Sequence, residues 1–116
     1  MATGLFKIKQ GDLRPYLKAQ LVKLDLDGEV EGPQDLTGAT VVFTMRNKTT
    51  GVLQVNEAST TVLSLLEGLV QYEWQDGDTD VAGSFHGEFE ATFGTEPETF
   101  PNGKAGFDIK ITPQLG

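Results

Sequence analysis

Apolar and polar residues alternate with a period of two along almost the whole chain. In "TVVFTMR", residues 40–46, Val41, Phe43 and Met45 point to one side, the pattern of a half-buried strand. The run "SFHGEFEATF" puts Phe85, Gly87, Phe89, Ala91 and Phe93 on one face and His86, Glu88, Glu90 and Thr92 on the other. Residues 105–112 turn Phe107, Ile109 and Ile111 inward and stop at Pro113, which has no amide hydrogen for a ladder. Residues 69–74 bring Val70, Tyr72 and Trp74 to one face. Shorter strands are expected at residues 5–8, 52–55 and 61–65. A further one covers residues 16–26, with Leu17, Ala19 and Leu21 on one side and a slip near residues 22–26 that predicts a bulge or twist.

Between these runs lie residues that favour turns. "QGDLRP" and "NKTTG" read as turns, "DGEVEGPQDLTG" as a loop, and Gly68 separates two strands. No helical periodicity lasts longer than about a turn. The one short helix expected is at "DGDTDVAG", where Asp78 or Thr79 would cap a single turn. About eight strands at short, regular spacing predict an all-β fold, an antiparallel immunoglobulin-like β-sandwich forming one domain over residues 1–116. A tryptophan followed by an Asp-rich corner and an aromatic strand is how such sandwiches close one end. Here "DVAGSFHG" loosely resembles their tyrosine corner, with Phe85 for the tyrosine and no cysteine.

Composition narrows the function classes. The chain of 116 residues is long enough to bury a core without staples, and it has no cysteine, which removes disulfides, thiol nucleophiles and cysteine metal ligands. Nine basic against seventeen acidic side chains give a net charge of −8, which argues against a general nucleic-acid or anionic-membrane surface. With no apolar run of membrane-spanning or signal-peptide length, the chain is expected to be soluble and made in the cytoplasm. The charge is uneven: residues 1–58 carry seven basic and seven acidic side chains, residues 59–116 two and ten. Sheets that segregated these halves would leave one face neutral and one strongly negative, an arrangement suited to docking and equally to a solubilising surface.

The candidate chemistry gathers around residues 74–93. Asp76, Asp78 and Asp80 have the one-three-five spacing of a calcium loop, but Val81 and Gly87 occupy the positions where an EF-hand needs glycine and a bidentate glutamate. A looser cation site stays open; turn chemistry explains the same residues, because Asp and Gly suit tight corners. His86, the only histidine, sits on the polar face of a strand with no nameable nucleophile or co-ligand. Glu88 and Glu90 share its facing and could be compared with a glycosidase pair, although neighbouring acids on an exposed strand usually are solvated charge. Tyr72, Trp74 and the phenylalanines read as core ahead of a stacking platform. The expectation is therefore no enzyme, no catalytic or metal-binding residue and no cofactor.

Four blocks in order carry a closer likeness. "FKIKQGDLRPYLKAQL" (residues 6–21), "DLTGATVVFTMRNKTTG" (35–51), "GLVQYEWQDGDTDVAGSFHGEFEATF" (68–93) and "ETFPNGKAGFDIKI" (98–111) together resemble the N-terminal domain of phage baseplate upper proteins. The resemblance implies a β-sandwich virion component that docks onto other structural proteins, such as the tail hub, tail tube or capsid, in a symmetric assembly. It implies a virion location and neither a nucleic-acid nor a membrane partner. A capsid decoration or neck protein is the alternative within virions, and a calcium- or carbohydrate-binding adhesive module the alternative outside them. The nearly neutral first twelve residues, with Leu5, Phe6 and Ile8 beside Lys7 and Lys9, either extend a partner's sheet or form an edge strand of the chain's own.

Overall fold

Residues 5–101 and 107–115 are described in a computed structural model of the chain, and the alternating runs among them form eleven strands and no helix. They are β1 (Leu5–Lys9), β2 (Leu17–Gln20), β3 (Val22–Leu24), β4 (Val30–Pro33), β5 (Ala39–Asn47) and β6 (Leu53–Ser59). There follow β7 (Thr61–Ser64), β8 (Leu69–Tyr72), β9 (Gly83–Phe93), β10 (Glu96–Phe100) and β11 (Phe107–Thr112).

The largest sheet runs β1-β11-β9-β5-β6, with β10 also on β9. Strand β9 organises it because eleven residues suffice to hold β5 along one edge and two strands in succession along the other. On the β5 side the register runs from Ala39 opposite Phe93 to Asn47 opposite Phe85. On the other side β11 takes residues 83–87 and β10 takes residues 89–93. A second sheet has the order β2-β8-β7, and β3 with β4 forms a two-stranded ribbon.

The two larger sheets share one core. Phe43 of β5, fully buried, lies 4.7 Å from the Tyr72 ring of β8, 6.1 Å edge-on to Trp74 and 5.1 Å from Phe89. Around these rings pack Ile8, Leu17, Leu36, Val41, Met45, Val70, Ile109 and Ile111. Trp74 extends the cluster toward Phe6, 5.9 Å away, and its indole nitrogen donates to the Pro15 carbonyl at 3.0 Å. The aromatic residues of residues 72–74 are thus core, not an exposed platform.

Several expectations change. The β1–β11 pair is parallel, so the large sheet is mixed and not purely antiparallel. Alternation fixes the face a side chain takes but not the direction of the neighbouring strand. Residues 5–9 belong to the chain's own sheet, and Ile8 lies in its core. The strand expected over residues 16–26 splits at Leu21, since β2 and β3 enter different sheets. Part of the expected loop 27–38 is β4, and β10 is an additional strand, which raises the count from about eight to eleven. At "DGDTDVAG" the backbone makes turns, Asp78 N–H to the Gln75 carbonyl at 3.0 Å and Asp80 N–H to that of Gly77 at 3.3 Å, in place of a helix. Gly77, at φ 94°, leaves the helical region there. Residue 105, expected in the last strand, lies outside the described residues. The sheets also interleave the two halves of the chain, since β1, β5 and β6 join β9, β10 and β11, so the charge difference is not sorted by sheet.

Candidate functional site

The acidic corner is held by its own polar groups. Strand β8 ends at Tyr72, whose hydroxyl donates a short hydrogen bond to Asp78 Oδ2, and the same oxygen accepts the Gln75 amide at 2.8 Å. Burial pushes the Tyr72 phenol above its ordinary value first, and the bond to Asp78 and its charge push it further. Thr79 is buried; its hydroxyl donates to the Asp12 carbonyl at 2.8 Å, and its carbonyl accepts the Gly11 amide at 3.0 Å. The Gln10 side chain donates to the Asp80 carbonyl at 2.7 Å, and Gln54 of β6 to the Gly77 carbonyl at 3.0 Å. The corner is therefore bolted to residues 10–12 and to β6 by backbone and amide contacts.

That arrangement determines what the aspartates do. Asp78 spends one carboxylate oxygen on the corner, while Asp76 and Asp80 are exposed. Among the described residues no group of three or more His, Asp or Glu side chains is placed to hold a metal ion. The one-three-five spacing is a property of the sequence that the turn does not convert into convergence.

On the outer face of the large sheet, His86 lies opposite Arg46 of β5 and Asp108 of β11. Its Nδ1 is buried and 3.6 Å from Asp108 Oδ1, beyond hydrogen-bonding distance. Lys48 reaches the same carboxylate at 2.6 Å. The hydrogen bond from Lys48 holds Asp108 below its ordinary value, helped by the charges of Lys48 and His86 and opposed by desolvation. Glu88 and Glu90 sit further along β9, opposite Thr44 and Val42, and line an open depression with Thr44, Asn56, Glu57 and Thr99. Glu88 is exposed there and Glu90 half-buried.

The feature missed in sequence is the tip of the β3–β4 ribbon. Asp25 Oδ1 accepts the Asp27 amide at 2.9 Å and the Glu29 amide at 3.0 Å. The Gly28 amide donates to the Asp25 carbonyl at 3.0 Å, and Gly28 has φ 83°. This closed turn holds Leu26 wholly exposed between Asp25 and Asp27. A signal was present, because "LDLDGEV" is an Asp-Gly pair flanked by alternating apolar residues, the strongest short-range sign of a hairpin.

A scan of the sequence against protein-family models finds no match, and a search of curated proteins finds none.

Proposed function

We propose that this chain is a non-enzymatic structural protein of a tailed-phage or prophage virion, a tail or baseplate component that works by protein–protein docking in a symmetric assembly. One observation carries the reading. Of the seventeen buried core residues among the described residues, all but Val55 fall within the four blocks that resemble the baseplate upper protein domain. The blocks thus take in most of the core and lie in both of the larger sheets. On this reading the fold is an immunoglobulin-like sandwich, with the Tyr72–Asp78 corner closing one end. The segments outside the blocks include the β3–β4 ribbon and β6–β7, which carry exposed apolar side chains at Leu26, Val30, Leu53 and Leu63. Exposed loops and ribbons on a rigid frame are where docking contacts are usually made.

The test is immunogold labelling of an epitope-tagged copy in particles from an induced lysogen carrying the gene. Gold at the tail tip supports the baseplate position, and gold over the head supports capsid decoration instead. Particles that purify without the protein overturn the virion reading.

A further inference from the structure

The molecule has two exposed surfaces that share apolar character, one ringed by carboxylates and one carrying two cations. One is the ribbon tip, where Leu26 stands wholly exposed on a turn fixed by four internal hydrogen bonds, with Asp25, Asp27 and Glu29 around it. Glu31, further down the ribbon, is paired with Lys23 at 3.5 Å. Asp27 and Glu29 enter the turn through their backbone amides, so their carboxylates are not needed to hold it. The other surface precedes β2: Leu13 and Tyr16 are exposed, and the Arg14 guanidinium lies 5.8 Å over the Tyr16 ring. The bond from Trp74 to the Pro15 carbonyl anchors this segment to the core, and Lys18 on β2 adds a second exposed cation.

We propose that the Leu26 tip of one copy seats on the Leu13–Arg14–Tyr16 surface of a neighbouring copy. Leu26 covers Leu13 and the Tyr16 edge, while Asp27 and Glu29 face Arg14 and Lys18. The proposal rests on the symmetric-assembly reading above and names the surface that builds the symmetry. Both elements are preorganised, one by its turn bonds and the other by the indole anchor, so association orders little new chain. We take the contact as head-to-tail, each copy's tip on the next copy's surface, which generates a ring or a filament. A hairpin tip covers little area and the whole chain carries −8, so each contact is weak; its salt sensitivity comes from the facing pairs, Asp27 and Glu29 against Arg14 and Lys18, which salt screens. Repetition around a ring supplies the strength a single contact lacks.

Sedimentation velocity of the full chain at rising concentration, in low and in high salt, tests this. Concentration-dependent association in low salt that salt suppresses is expected. Leu26→Ser removes a buried leucine from the contact and weakens association by about tenfold or more. Arg14→Glu and Asp27→Lys each abolish it, while an equimolar mixture of the two charge-reversed proteins associates again, because the lysine tip of one fits the glutamate surface of the other. All three positions are exposed, and unchanged melting curves verify that folding is intact. Wild-type protein that stays monomeric at millimolar concentration in low salt overturns the proposal, as does association indifferent to Leu26→Ser and Arg14→Glu. Neither result bears on the gold-labelling test, so failure of this surface is separable from failure of the virion reading.

Discussion

The Tyr72 hydroxyl donates to Asp78, joining the end of a core strand to the corner six residues later. The same bond accounts for the buried phenol and for the fixed turn. A hydrogen bond to a charged acceptor contributes about 1.5–3 kcal/mol, and the partial exposure of Asp78 places this one toward the lower end. Tyr72→Phe should therefore lower stability by roughly 1–2 kcal/mol in urea denaturation while leaving the m-value unchanged. An unchanged midpoint would show that the corner holds without it.

The raised Tyr72 value also sets an alkaline limit. A phenol whose folded value lies above the ordinary 10.0 stabilises the fold fully below that pH, and the contribution is lost as pH rises above it. Stability should fall above about pH 10, and Tyr72→Phe should flatten that fall. Thermal melts at a series of alkaline pH values, wild type beside variant, provide the comparison.

Gly68 sits where the ribbon leaves the core. Its carbonyl accepts the Leu21 amide at 2.8 Å, and its φ is 65°. A β-carbon there would stand 2.5 Å from the Leu21 carbonyl oxygen and 2.8 Å from that of Gln34, both backbone atoms that no side-chain rotation can move aside. Gly68→Ala should cost more than the roughly 1 kcal/mol of a simple left-handed glycine replacement and should detach the ribbon first. Hydrogen exchange at the Leu21 and Gln34 amides would report it; protection there equal to wild type would contradict the account.

Sequence periodicity located the faces of β5, β8, β9 and β11 correctly because each buries one side against a single core, and a period of two has only one register compatible with that. Phe43, Phe85, Phe89 and Ile109 were legible for this reason. The parallel partner of β1 was not, since no local residue pattern encodes the direction of a strand about a hundred positions away. Nor was the Lys48–Asp108 pair, which exists only because β9 separates and aligns β5 and β11. The short helix expected at the corner failed to a competing use of the same residues: Asp78 bonds its side chain to Tyr72 and Gln75 and stabilises a turn.

Asp108 supplies the acid-side counterpart. Its folded value lies below the ordinary 3.8, chiefly through the hydrogen bond from Lys48. Stability from the pair is present above that pH and lost as pH falls through the lower folded value. Both side chains are partly exposed, so salt should weaken the effect. The difference in melting temperature between wild type and Asp108→Asn should be largest above about pH 4, shrink as pH falls below that, and narrow in high salt. A difference that does not change with pH would remove the ion pair as its cause.

Gly87 lies at the centre of β9, opposite Met45 on β5 and Phe107 on β11. A β-carbon there would come within 2.8 Å of Ile109 Cδ1, 3.0 Å of Phe43 Cε1 and 3.1 Å of Phe107 Cζ. These are side-chain atoms, so the neighbours can shift, and overpacking of this kind costs about 1–3 kcal/mol. The tightest contact is with the terminal methyl that Ile109→Val removes. On its own, Ile109→Val should cost about 0.5–1.5 kcal/mol by leaving a small void. Combined with Gly87→Ala, the void and the added methyl occupy the same space, so the double variant should be more stable than the sum of the two single losses. Urea denaturation of all four proteins gives the coupling directly. Strict additivity would mean that Phe43 and Phe107, not Ile109, take up the strain.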